Sequence, residues 1–339
     1  MNFDFTDDQQ AIKSTARDFL ASRFKLDKVR QLAESGEYDD AQWKEMSELG
    51  WPGIFIGEEH GGQGLGVLEL VILTEELGYV AAPTPFLANA AAGLLIQHAG
   101  SDEQKERWLP GVASGDARGT VGVVSGNGAA PLVPDADGAS FIVLIDGDSA
   151  SIVEPGDASI EPVEAIDNTR HYSRVSASGG DPLAGDVAGA LDRVAVAISG
   201  EIVGVAQRAM EMAVEYAKDR QQFGRPIGAY QAVSHNCAQM LMETEGARSL
   251  TYYAGWAADH EPESLALASS MAKAYASDAG FRVPARSLQV HGGIGFTWEH
   301  DLQFFLKRGK TDAHLYGTAR EHRERVAKLT GMSRSAAAV

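Results

Sequence analysis

Residues 219–240, DRQQFGRPIGAYQAVSHNCAQM, mark the point where one long helix has to end and another has to begin. Upstream, Leu191 to Asp219 carries apolar side chains at helical spacing, and Gly200 and Gly204 offer small surfaces to a close neighbour at about 1 kcal/mol of helix propensity each. Gly224 favours the left-handed conformation that terminates helices, and Pro226 has no N–H with which to continue one. Downstream, Val233, Cys237, Met240, Leu241 and Thr244 fall on one helical face. A further helix is expected from about Ser264 to Val290, kinked or split at Pro284. Long helices joined by short connections pack antiparallel, so residues 188–332 read as a four-helix bundle. The tail 333–339 reads as frayed and flexible.

Toward the N-terminus the texture changes twice. Residues 1–117 read as a helical domain: Asp7 to Leu20, Ala41 to Leu49 and Val67 to Leu77 repeat apolar side chains three and four apart. Ser101 and Gln104 have the spacing of a capping box, with Pro110 and Gly115 expected to end the helix they open. Residues 118–187 read as a small antiparallel sheet. Thr120 to Val124 and Phe141 to Ile145 are its strongest strands, Ser151 to Val153 and His171 to Val175 its weaker ones. The expected fold class is therefore mainly α with a small β domain between two helical regions.

The chain has 339 residues, 44% of them hydrophobic and 22% charged, as in an ordinary folded protein. Its formal charge of −18 makes nucleic acid or an anionic membrane an unfavourable partner, because phosphate would be repelled. Cys237 is the single cysteine, which fits a reducing cytoplasm, and MNFDFTDDQQ does not open as a signal segment. The apolar run from Phe86 to Ile96 is about half the length that spans a bilayer. Phosphate-binding loops of the G-x-x-x-x-G-K-[ST] type, G-x-G-x-x-G, G-x-S-x-G and H-E-x-x-H are all missing. His314 and His322, eight apart, read as solvated helix rather than as metal ligands.

Three stretches together resemble the acyl-CoA dehydrogenase family: GWPGIFIGEEHGGQGLGVLELVILTEELG (50–78), the opening stretch at 219–240, and QVHGGIGFTWEHDLQFFLKR (289–308). The resemblance covers nearly the whole chain and the stretches come in the family's order. It implies an N-terminal helical domain, a middle β domain, a C-terminal four-helix bundle, bound FAD and a dimer-of-dimers assembly. It also implies that Arg220, Gln222 and Phe223 contact the FAD of a neighbouring subunit, together with Gln289, Gly292 and Gly293, and that Thr318 belongs to the cofactor site. An acyl-CoA thioester is the implied substrate and an electron-transferring flavoprotein the implied acceptor. The chemistry of the residues agrees: a guanidinium pairs bidentately with phosphate oxygens, and a glycine pair lets a dinucleotide approach the backbone.

Two departures bear on the site. The family's T-E-P-G-A-G-S-D-like loop and W-I-T strand are replaced by GTVGVVSGNGAAPLVPDADG (119–138). The reaction needs a base for the Cα proton, and the family commonly supplies the Glu of Y-E-G-T, where this chain reads HLYGT (314–318) with Tyr316 before Gly317. A tyrosine of ordinary pKa is a poor base. Some members place the Glu in an L-E-R-like run, which here is Leu191-Asp192-Arg193. Asp192 is then either the base, one methylene short, or an exposed acid near a helix start. The chain resembles the short subunits of actinobacterial heterotetrameric acyl-CoA dehydrogenases acting on steroid side-chain thioesters. That implies a half-site for FAD donated to a second dehydrogenase subunit. A self-sufficient homotetramer using Asp192, and a non-catalytic acyl-CoA-binding or scaffold subunit, are the other readings.

Overall fold

The computed structural model describes residues 4–332, so the expectation for 333–339 lies outside the described residues. Helices come first: α1 (Asp7–Arg23), α2 (Leu26–Ser35), α3 (Asp40–Glu48), α4 (Val67–Tyr79), α5 (Phe86–Ala99) and α6 (Asp102–Ser114). Strands follow: β1 (Gly119–Val123), β2 (Ala130–Pro134), β3 (Phe141–Asp146), β4 (Ser149–Val153), β5 (Ala158–Pro162), β6 (Tyr172–Ala177) and β7 (Asp181–Pro182). The rest is α7 (Val187–Asp219), a hairpin of β8 (Gln221–Gln222) and β9 (Arg225–Pro226), α8 (Gln231–His260), α9 (Pro262–His291), α10 (Leu302–Asp312) and α11 (Ala319–Leu329). Among the described residues no helix is long and apolar enough to cross a membrane.

Local chemistry explains the helix ends. Ser101 Oγ accepts from the Gln104 amide and the Gln104 side chain accepts from Ser101 N–H, as the spacing requires. Pro110 does not end α6, which continues to Gly115 at φ +79°. The carbonyl that this proline leaves without a donor belongs to Glu106, an exposed residue. α5 escaped the periodicity test because it is buried nearly all round, from Phe86 to Ile96, and so has no polar face.

The β region is mixed rather than antiparallel. β1 and β3 run parallel, from Gly119 opposite Phe141 to Val123 opposite Ile145. The chain leaves β1 to form β2 in a second sheet before it returns, so β1 and β3 are not hairpin partners. The first sheet has the order β1-β3-β4-β7 and the second β2-β6-β5. β3 is buried on both faces: Phe141, Val143 and Ile145 join the main core, while Ile142 and Leu144 meet Val133 and Val175 between the sheets.

α7 is the axis of the helical body. A Cβ on Gly204 would overlap the Glu75 carbonyl oxygen, and one on Gly200 would crowd the Thr74 hydroxyl, so α4 lies directly on α7. α9 is continuous through Pro284, so the helix is not split there. The carbonyl freed four residues earlier, that of Gly280, lies against Gly309 of α10, whose missing side chain leaves it room. On the face expected of α8, Met240 and Thr244 are buried, whereas Leu241 is 48% exposed.

Candidate functional site

At one end of the bundle the chain turns outward. After α7, Arg220 takes an extended conformation and Gln222 pairs with Arg225 across a two-residue turn. That turn is Phe223 and Gly224, at φ +53° and +81°, the left-handed pair a tight hairpin needs. Glycine adopts it freely; phenylalanine does so against its preference. Phe223 is nevertheless 92% exposed, with only the edge of Tyr230 nearby at 6.3 Å. The guanidinium of Arg220 has no hydrogen-bond or ion-pair partner among the described residues.

α7 and α9 run in the same direction, with α8 between them, so their C-terminal ends lie together. Tyr216 in the last turn of α7 stacks on His291, the last residue of α9, at 4.7 Å between centroids. Gln289 and Gly293 are exposed there, Gly292 sits at φ +60°, and a Cβ on Gly293 would meet nothing within 4 Å. Arg220, Gln222, Phe223, Gln289, Gly292 and Gly293 are thus presented at one end, beside the exposed side chains of Ile294, Phe296 and Trp298.

The remaining two expected residues lie elsewhere. Asp192 and Thr318 line a cavity of about 650 Å³ between the β region and the bundle. Val121 and Val123 of β1, Pro131 and Leu132 of β2, and Leu191 of α7 give it an apolar wall. The stretch 119–138 therefore still forms two strands facing the bundle although the family's motifs are missing from it. A flat apolar ring fits such a wall, and the volume is that of an ordinary ligand site.

The chemistry of this cavity differs from the expectation. Asp192 is not an exposed acid: it is 4% exposed, and Arg325 of α11 grips both its oxygens, Nη2 to Oδ2 at 2.8 Å and Nη1 to Oδ1. Ser269 donates to Oδ1 at 2.9 Å. The Thr318 hydroxyl caps α11, accepting from the Glu321 amide at 3.3 Å and donating to the Glu321 carboxylate at 2.9 Å. Tyr316 is buried with its hydroxyl unpaired among the described residues, and burial pushes that hydroxyl far above the usual tyrosine range. His322, expected on a solvated face, is 7% exposed, and burial pushes its imidazole below the ordinary value. His314 is exposed, and among the described residues no cluster could hold a metal.

Behind the cavity lies a buried charge network that sequence reading did not find. Arg308 donates to Asp167 at 2.9 Å and to Glu201 at 2.5 Å, and Arg170 donates to Asp312 at 2.6 Å and to Glu201. All five side chains are buried. They join the loop before β6 to α7 and α10 and fix the β region on the bundle. Tyr252 and Trp256 line a separate cavity of about 620 Å³ with Phe5 and Arg248.

The two groups of expected residues stand at opposite ends of α7. At about 1.5 Å per residue, Asp192 and Arg220 are roughly 40 Å apart, well beyond the span of one dinucleotide. A cofactor lodged in the cavity of this chain is out of reach of the same chain's Arg220.

The family model "Acyl-CoA dehydrogenase, C-terminal domain" matches residues 185–330, and "Acyl-CoA dehydrogenase, N-terminal domain" matches residues 6–116. Acyl-CoA dehydrogenase IpdE2 of Mycobacterium tuberculosis is 31% identical over 326 residues, covering 93% of this chain and 95% of that protein. IpdE2 of Mycolicibacterium smegmatis is 29% identical over 323 residues, covering 95% of this chain and 98% of its own. Among solved structures, the Tcur3481-Tcur3483 steroid ACAD G363A variant superposes with a TM-score of 0.86 at 27% identity, covering 96% of this chain and 98% of that one. The ChsE4-ChsE5 complex from Mycobacterium tuberculosis has the same fold, with a TM-score of 0.88 at 22% identity and coverage of 99% and 100%.

Proposed function

Because the chain belongs to the acyl-CoA dehydrogenase family, we propose that it works as one subunit of an FAD-dependent dehydrogenase, in which it contributes a half-site to cofactor held by a second chain. The substrate is an acyl-CoA thioester, and the reaction is α,β-desaturation. The observation that carries this reading is the position of Arg220 and Phe223: both exposed, Arg220 at the end of α7 and Phe223 in the tight turn that follows, at the far end of α7 from the chain's own cavity. FAD is the cofactor of the family and supplies, when bound, the acceptor for the hydride that leaves Cβ.

In this reading the chain's residues divide the work by place. Arg220 pairs with the pyrophosphate of FAD held across the subunit seam, because a planar fork matches two phosphate oxygens. Gln222 and Gln289 offer amides at the same edge, Phe223 covers the cofactor, and Gly292 and Gly293 leave room for it against the backbone. The cavity near Asp192 has an apolar wall, but its carboxylate is committed to Arg325 and Thr318 to a helix cap. The base for the Cα proton is then supplied by the partner chain, which makes the active assembly a heterotetramer. The likeness to the Tcur3481-Tcur3483 steroid ACAD and to an electron transferring flavoprotein structure of Acidaminococcus fermentans supports extending the reading to a steroid-derived acyl group as substrate and an electron-transferring flavoprotein as acceptor.

The alternative is a self-sufficient homotetramer with Asp192 as base, which the 650 Å³ cavity favours. Flavin absorbance near 450 nm separates the two: purified alone, the chain is expected to carry little FAD, and with a second dehydrogenase subunit a full complement. Full FAD and turnover from the lone chain, abolished by Asp192→Asn, would establish the homotetramer instead. Unchanged FAD content and turnover on Arg220→Ala in the pair would favour a scaffold role.

A further inference from the structure

The inner wall of the cavity between the β region and the bundle is held from behind. Residues 313–317 connect α10 to α11, and Tyr316 and Gly317 within them sit at φ +56° and +101°. A side chain in the left-handed region costs about 1–2 kcal/mol, so a tyrosine stays there only where its surroundings over-determine the turn. Two consecutive carbonyls of the turn are captured: His322 Nε2 lies 3.1 Å from Tyr316 O, and Lys273 Nζ donates to Gly317 O at 3.0 Å. Lys273 Nζ also donates to Asp312 O at 3.1 Å, immediately before the same loop, and to Ser277 Oγ at 3.0 Å. Three N–H bonds thus meet three oxygens, two of them at opposite ends of one loop. The lysine is 0% exposed and has no carboxylate oxygen within ion-pair distance among the described residues.

We propose that Lys273 is the positioning residue of this cavity: its ammonium clamps both ends of loop 313–317, fixes the left-handed turn, and so sets the wall that Leu315, Tyr316 and Gly317 present to any ligand lodged there. The functional meaning of the clamp rests on the dehydrogenase reading above; the clamp itself does not. A packing lysine would point its ammonium to water along an apolar stem, whereas this one donates to Asp312 O and Gly317 O, which bracket the loop, and to Ser277 Oγ of its own helix.

The charge state of the clamp is open to pH. Burial pushes the Lys273 ammonium down to about 7, against the opposing pull of the Asp312 and Glu321 carboxylates. The groups facing it are Asp312 on α10, itself pushed up to about 7 by burial, and Glu321 and His322 on α11. Arg170 and Glu201 stand behind Asp312, and Asp192 and Arg325 beyond His322. Loss of the proton replaces charge-assisted donors by two weaker neutral N–H groups for the two carbonyls and leaves the lone pair to the Ser277 hydroxyl. Rising pH therefore loosens the loop.

Amide hydrogen exchange on the full chain between pH 6 and 9, corrected for intrinsic rates, tests this. The expected result is a loss of protection of about tenfold or more in 313–318 as pH rises, with α9 and α10 unchanged. Lys273→Met should lack that protection already at pH 6 and show no pH dependence. Ser277→Ala, which removes one acceptor with little other change, should move the loss to lower pH, and it keeps the test alive if Lys273→Met does not fold. Wild-type protection in folded Lys273→Met, equal protection of the wild type at pH 6 and 9, or an unmoved profile in Ser277→Ala would each overturn the proposal. Bound flavin is counted on the same samples: its absence with and without a partner subunit defeats the dehydrogenase reading while leaving the exchange result to judge the clamp.

Discussion

Arg325 holds Asp192 with two nitrogens across the gap between α11 and α7, and Ser269 completes the shell around Oδ1. With two donors on Oδ1 and one on Oδ2, the carboxylate is paired as the counter-charge of Arg325. Asp192→Asn should cost about 1–3 kcal/mol, near the low end because the arginine side chain is 35% exposed. A double-mutant cycle with Arg325→Met, read by urea unfolding, should return most of that as coupling. In the flavin-loaded assembly, turnover should fall less than about tenfold. A loss of a thousandfold or more would assign the proton transfer to Asp192.

The contact between α4 and α7 sets a second expectation. Replacing Gly204 by Ala gains about 1 kcal/mol of helix propensity in isolation. Here the new methyl would overlap the Glu75 carbonyl oxygen, a backbone atom that cannot swing aside. The clash should dominate, for a net destabilisation of about 2–3 kcal/mol by denaturant unfolding. An unchanged midpoint would mean that the two helices do not lie this close.

These two sites show what the chain made legible before any coordinates. Gly200 and Gly204 stand out because small residues at helical spacing advertise a close neighbour, α1 and α3 because one apolar stripe repeats, and α4 because Glu69, Thr74, Glu75 and Glu76 interrupt its apolar residues although all but Glu69 are buried. α5 does not, since burial all round erases the stripe. β2 was obscured by Pro131 and Pro134 and β5 by its exposure. At the candidate site, family likeness singles out Arg220 and the glycine pair, which are local in sequence. The grip of Arg325 on Asp192 joins residues 133 positions apart, and the clamp of Lys273 on Gly317 joins residues 44 apart. Neither leaves a local pattern, because what distinguishes Lys273 from any helical lysine is its burial.

A pH effect follows from Asp135. It is 6% exposed, at φ +56°, accepts from Tyr38 Oη and has no partner for Oδ2 among the described residues; burial pushes its carboxyl up to about 6. The folded state therefore binds this proton more tightly than the unfolded chain, whose carboxyl titrates near 3.9. Stability falls as pH rises from about 4 to 6, and the penalty is complete above that. Asp135→Asn cannot ionise, keeps an acceptor for Tyr38 and tolerates the left-handed backbone. It should add up to about 3 kcal/mol at pH 8 and little at pH 4, as compared by urea midpoints. An equal effect at both pH values would show that ionisation of Asp135 is not the cause.

Arg220 offers the sharpest separation of binding from folding. Its exposed guanidinium has no hydrogen-bond or ion-pair partner among the described residues, so Arg220→Ala should leave the melting temperature of the isolated chain within about 1–2 °C of the wild type. In the assembled protein the same change removes a charge-assisted contact to phosphate worth about 1.5–3 kcal/mol, which is roughly a ten- to hundredfold weaker hold on FAD. Arg220→Lys should recover only part of it, since an ammonium places one charge where the fork places two directed bonds. FAD retained after ultrafiltration, scored beside the melting curve, reads both quantities on one sample. A drop in stability without a drop in FAD would make Arg220 a structural residue of an interface and move the cofactor's grip elsewhere in the assembly.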